Sequence, residues 1–140
     1  MNDSLKRLAE LKLKADIERY KAVPEFAVPR GHYEDATANG LTRCIIDYVR
    51  LAGHWAERVN TTGRVINDRG RSRYIPTTAT RGSADVHAIK SGRSVMIEIK
   101  VGKDKQSDRQ RHYQAQVEAS GAVYMVVRTF EDFVTQWTNI

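Results

Sequence analysis

The chain has 140 residues, 41% hydrophobic and 29% charged, a balance that suits one globular domain and excludes a disordered chain. A net charge of +6 points to an anionic partner, nucleic acid before others, with a merely soluble basic protein as the alternative. No apolar run approaches the ~18 residues that span a bilayer, so no membrane partner is expected.

The opening MNDSLKRLAELKLK alternates leucine with lysine and lacks the apolar stretch of a signal peptide. Cys44 has no second cysteine to pair with, so a reducing, cytoplasmic setting is expected. His32, His54, His87 and His112 are scattered, without zinc-ligand spacing. Helix formers run from about Ser4 to Lys21, where Leu5, Leu8, Leu11 and Ala15 make a partial apolar stripe. Two readings stay open there: a docking or dimerising arm, or a solvated helix lying on the domain. VPEFAVPRGHYED, with two prolines and a glycine, reads as a linker. Residues 1–36 are thus an N-terminal helical arm and linker, and residues 37–140 the main domain.

From near Thr37, Leu41, Ile45, Tyr48, Val49 and Ala52 recur at helical spacing, with Cys44 on the same face and Gly53 as the stop. HWAERVN alternates as a strand, with Trp55, Glu57 and Val59 on one face and Ala56, Arg58 and Asn60 on the other. Trp55, Tyr113 and Trp137 read as core residues. A polar excursion follows, in which Arg64, Arg69, Arg71, Arg73 and Arg81 face the single acid Asp68 between Gly63 and Gly82. ADVHAIK and SVMIEIKV then form a hairpin turning at Ser91-Gly92. Asp104 to Ser120 reads as a helix closed by Gly121, AVYMVV as a buried strand, and TFEDFVTQW as an amphipathic helix. The order predicts an α/β domain with a mixed sheet, its last strand arriving parallel through a helical crossover.

The hairpin register carries the chemistry. With a two-residue loop at Ser91-Gly92, or a four-residue loop from Lys90 to Arg93, Lys90 faces Arg93 and Asp85 faces Glu98. A three-residue loop shifts this pairing. Lys100 shares the Glu98 face, while Val95, Ile97, Ile99 and Val101 fill the other. Like charges directly opposite cost about 0.2–1 kcal/mol. Lys100 alone can offset that on a solvated face. A Mg²⁺ ion is the sharper answer, because it takes one or two carboxylates together with water and phosphate oxygens.

S-A-D-V, twelve intervening residues after Asp85, and then E-I-K resemble the D…(D/E)-x-K signature of the PD-(D/E)xK nuclease superfamily. Within it the chain looks like the small VRR-NUC type, allied in fold to Holliday-junction resolvases. The likeness covers about residues 37–134, including TANGLTRCIIDYVRLAG, ERVNTTG, GSADVHAI, IEIKVG and QSDRQRHYQAQVEASGAVYMV. TANGLTRC and RVNTTG also resemble bacteriophage wording, which would put the protein in a host cell's cytoplasm. The resemblance implies a restriction-endonuclease-like α/β core, with a mixed central β-sheet flanked by helices, beside the N-terminal helical arm.

It further implies a metal-dependent DNA endonuclease, with junctions and flaps among the substrates to test. Asp85, Glu98 and the backbone carbonyl of Ile99 would hold Mg²⁺ or Mn²⁺, and Lys100 would position the attacking water. Gln110 matches a glutamine near the active site of relatives, yet Ser107 and Gln110 also spell a capping box, and both readings stay open. Arg58, Asn60 and Thr61 resemble substrate-facing positions, or are an exposed strand end. Arg64, Arg71, Arg73 and Arg81 would contact phosphates as a group, with Lys103 and Lys105 just past the catalytic strand. His87 shares the Asp85 face but reads first as structural.

Two departures stand out. Ala84 replaces a proline that often precedes the aspartate. Asn39 lies where relatives often carry a helix glutamate as an extra metal ligand. A homodimer is consistent with cutting two strands. The alternatives are a non-catalytic DNA-binding module on a decayed nuclease fold, and an assembly protein using its N-terminal arm.

Overall fold

The computed structural model describes residues 2–140. Helix α1 (Asp3–Arg19) begins where the Asn2 side chain accepts from Leu5 N at 3.0 Å, and a short 3-10 turn (Glu25–Ala27) follows it. Helix α2 (Ala38–Leu51) is capped by Thr37, whose hydroxyl accepts from Gly40 N at 3.0 Å. Glu34 steadies that cap by accepting from the Thr37 hydroxyl and from the backbone N–H groups of Ala36 and Thr37.

Strands β1 (Trp55–Arg58), β4 (Val86–Lys90), β5 (Arg93–Ile99) and β6 (Val123–Val127) make one mixed sheet in the order β1-β4-β5-β6. Lys90 faces Arg93 and Val86 faces Ile97, the register expected from a two-residue turn, and Ser91 and Gly92 both adopt positive φ. β6 runs parallel to β5, entering through helix α3 (Asp108–Ala119). Helix α4 (Phe130–Thr138) closes the fold, capped by Thr129.

The two faces of the sheet differ. Val86, Ala88, Val95, Ile97 and Ile99 point into a core built with Leu41, Cys44, Ile45 and Val49 of α2 and Phe130, Phe133 and Trp137 of α4. α3 packs on β6 from the other side, where Glu98 points, and none of its own residues is buried.

Several expectations change. Leu5 and Leu8 of α1, together with Tyr33 of the linker, lie in the same buried cluster as α2 and α4, so the core starts well before Thr37. Trp55 is not core: it is 46% exposed, on the face of edge strand β1 opposite the buried Ala56. Trp137 is buried, and Tyr113 is half-buried against Tyr124. The Asp104 start expected for α3 moves to Asp108, because Ser107 forms the N-cap. The arginine-rich excursion is itself a hairpin, β2 (Arg64–Asp68) with β3 (Arg71–Ile75), turning through Arg69 and Gly70 at positive φ. Among the described residues no helix is long and apolar enough to cross a membrane.

Candidate active site

Glu98 and Lys100 leave β5 on one face, as alternation requires. Both are buried, Glu98 to 1% exposure, and Lys100 Nζ lies 3.0 Å from Glu98 Oε1. Lys100 also reaches Asp104 Oδ2 at 3.3 Å. Gln110 Nε2 donates to Glu98 Oε1 at 2.5 Å, and the Tyr124 hydroxyl donates to Oε2 at 3.4 Å.

Asp85 sits one residue outside the β4–β5 ladder, which ends at the Val86–Ile97 pair. The direct Asp85–Glu98 ladder pairing expected from the register therefore does not form. Asp85 instead stitches three strands together: its N–H donates to Ile97 O at 3.1 Å, and its carbonyl accepts from Val59 N at 2.9 Å. Its carboxylate Oδ2 accepts from Ile99 N at 2.8 Å. The two acids still feel one another, since the Asp85 charge raises the pKa of Glu98.

Burial is the main cause of the Glu98 shift and, with the Asp85 charge, pushes its carboxyl up to about 7, against the pull of Lys100 and Tyr124. Burial would lower the Lys100 ammonium, but the hydrogen bonds and charges of Glu98 and Asp104 outweigh it and raise its pKa. Burial, then the Glu98 charge, keeps the Tyr124 hydroxyl protonated well past the usual tyrosine range.

Gln110 fulfils both readings at once. Its Oε1 accepts from Ser107 N at 2.9 Å, and its own N–H donates to Ser107 Oγ at 3.2 Å, completing the capping box. Its Nε2 holds Glu98. One side chain thereby fixes both the start of α3 and the orientation of the buried acid.

Gly82 lets the preceding loop close on that helix. It has φ +80°, and a Cβ there would lie 2.5 Å from Arg109 O. The closure creates a cleft of about 320 Å³ whose walls include Thr61, Arg81, Asp85, Ser107, Arg109 and Gln110. A second hollow of about 240 Å³ meets it at Asp85 and Thr61, bordered by Arg58, Asn60 and Thr62.

The remaining candidates fall into two groups. Arg58 and Asn39 come together, with Arg58 Nη2 donating to Asn39 Oδ1 at 2.7 Å across the start of α2. Asn60 accepts from Thr62 N at 3.3 Å and, through its carbonyl, from Thr77 Oγ1 at 2.7 Å, which shapes the wall of the hollow. Arg81 lines the cleft. Arg64, Arg71 and Arg73 instead ride on the β2–β3 hairpin, with Arg64 at its root. Lys103 and Lys105 are exposed on the loop after β5 and line neither cavity. His87 is structural: its Nε2 lies 2.6 Å from Ser94 Oγ, and its ring meets Trp55 edge-on at 5.3 Å.

Sequence reasoning missed Arg109 and Tyr124. Alternation in AVYMVV carried the signal for the second, because Tyr124 and Val126 fall on the face opposite Met125 and Val127, toward Glu98. Arg109 gave no comparable sign, since its place in the cleft depends on how closely the Gly82 loop approaches α3. Among the described residues no group of three or more His, Cys, Asp or Glu side chains converges as a metal-holding set. The sequence matches no protein-family model, and a search of curated proteins likewise gives no match.

Proposed function

We propose that the chain is a divalent-cation-dependent nuclease of the PD-(D/E)xK superfamily and VRR-NUC type, with a restriction-endonuclease-like core, that hydrolyses phosphodiester bonds in DNA. One observation carries the reading: a buried Glu98–Lys100 pair, 3.0 Å apart, lies close enough to Asp85 to feel its charge, and Asp85 and the Gln110 that holds Glu98 line a cleft walled by Arg81 and Arg109.

The residues suit Mg²⁺ or Mn²⁺. Asp85 and Glu98, with the Ile99 carbonyl, would offer an all-oxygen set, as hard cations prefer. Asp85 uses one carboxylate oxygen on Ile99 N, and Oδ1 has no protein hydrogen-bond partner among the described residues. A carboxyl held near 7 by burial beside a second acid is a group that a cation would stabilise in its ionised form. A bound divalent cation would supply Lewis-acid polarisation of the phosphate and an acidified water.

The protein's own groups do the rest. Lys100, with its raised pKa, stays protonated, so it orients water and neutralises phosphate charge rather than taking a proton. Gln110 fixes Glu98 Oε1, and Tyr124 donates to Oε2. Arg58, Arg81 and Arg109 bind the backbone phosphates along the two hollows.

The test is to incubate plasmid, nicked, flapped and four-way-junction DNA with Mg²⁺, Mn²⁺ or EDTA. Cation-dependent cutting of at least one substrate is expected. Failure on all of them by folded protein removes the reading. The Asn39–Arg58 hydrogen bond favours a second reading, a non-catalytic DNA-binding module, because a cationic guanidinium stands beside the helix position where relatives often carry an acid. Duplex binding that persists without any cutting would select it.

A further inference from the structure

The β2–β3 hairpin is a two-stranded sheet separate from the main one. All of its residues are exposed except the half-buried Ile66 and Ile75. Val65 and Tyr74 stand directly opposite one another, 68% and 63% exposed. A two-stranded hairpin with so little packing gains little from its own fold. Its charge indicates what would cover it. Arg64, Arg69, Arg71 and Arg73 face the single acid Asp68, and among the described residues none of the four makes an ion pair or a side-chain hydrogen bond. By contrast, Arg50, Lys90, Lys100 and Arg128 are all engaged within the fold.

Register sorts the ribbon into two faces. Arg64, Arg71 and Arg73 share one with the half-buried isoleucines, while Val65, Asn67, Ser72 and Tyr74 form the other. Five residues per strand at ~3.4 Å each give a reach of ~17 Å, the length of about five base pairs of duplex. Two strands ~4.8 Å apart with their side chains measure roughly 10 Å across. The major groove, about 12 Å wide, admits such a ribbon, and the minor groove, at about 6 Å, does not. The legs of the ribbon are tied by the Thr77 Oγ1 to Asn60 O bond. Asn60 also borders the hollow beside Asp85, and Thr77 borders the cleft. The ribbon thus grows out of the wall of the site.

We propose that the β2–β3 hairpin enters the major groove of duplex DNA next to the cleavage position, so that the substrate must carry about five base pairs of intact duplex on that side. This rests on reading the cleft as a DNA site. Binding is measured in EDTA by fluorescence anisotropy, with a labelled duplex and the single strand of the same sequence, across a salt series. The full-length Arg69→Ala/Arg71→Ala/Arg73→Ala variant should bind duplex about tenfold or more weakly, with a log–log salt slope shallower by at least ~0.9, the share of one neutralised phosphate. Its affinity for the single strand should be unchanged. Methyl green in the major groove should displace the wild-type protein, and netropsin in the minor groove should not.

Unchanged duplex affinity and slope, equal losses on duplex and single strand, or displacement by netropsin would each overturn the proposal. A Val65→Ser/Tyr74→Ser variant that halves the mass in light scattering but keeps wild-type duplex binding would do the same, by assigning the ribbon to a second copy of the chain. Circular dichroism confirms that the variants are folded. Because the readout needs no catalysis, a wild-type protein that cuts no DNA refutes the nuclease reading and leaves the result for the ribbon standing.

Discussion

Consider Glu98→Gln with divalent cations removed. In the wild type the folded protein holds the Glu98 proton to about pH 7, against an ordinary carboxyl value of 4.5. At 1.36 kcal/mol per unit, ionising this buried group in the fold costs roughly 3 kcal/mol more than ionising it in the unfolded chain. The folded state binds the proton more tightly. Its contribution to stability is therefore fully present below 4.5 and is lost as the pH rises from 4.5 to about 7. In the wild type Lys100, with its raised pKa, keeps its charge throughout this window. The slope of the difference is the observable. Urea unfolding in EDTA, followed by circular dichroism from pH 4 to pH 8, should show the wild type losing roughly 3 kcal/mol relative to the glutamine variant, mostly between pH 5 and pH 7. Two profiles that stay parallel across this range would refute the argument that burial governs the Glu98 proton.

The other expectations concern the site and its support. At pH 8, Mn²⁺ at ~100 times its Kd should stabilise the wild type by about 2.7 kcal/mol and Glu98→Gln by much less, as thermal melts with and without the ion will show. Lys100→Ala should reduce cutting by about 10²–10³-fold while duplex affinity holds, and cutting at the wild-type rate would disprove its role. Gln110→Ala removes both the capping-box partner and the Glu98 hydrogen bond, so a loss of about 1–3 kcal/mol is expected in urea unfolding. Leu8→Ala, in the buried cluster shared by α1, α2 and α4, should cost about 2–5 kcal/mol.

Legibility followed burial. The Ser91-Gly92 hairpin could be read because its strands alternate buried and polar positions and the two-residue turn fixes the register. The Arg69-Gly70 hairpin uses the same turn chemistry but went unseen. Its apolar residues come as neighbours, Val65 with Ile66 and Tyr74 with Ile75, one on each face, and no core imposes a period. Trp55 misled because its side chain suggests a core, whereas its place on an edge strand is a matter of topology. Glu98, Lys100 and Gln110 were legible from spacing and capping, since local geometry determines both. Arg109 depends on a long-range closure at Gly82, which no short window contains.

The docking of α1 changes how the N-terminal segment should be handled. A chain trimmed to Thr37 would lose Leu5, Leu8 and Tyr33 and expose the greasy flank of α2 and α4 that they shield. Such a fragment should clump during purification, and a shift in its apparent size would report stickiness rather than altered assembly. Fusion partners and fluorophores at that end should be spaced from Asn2, whose side chain starts the helix.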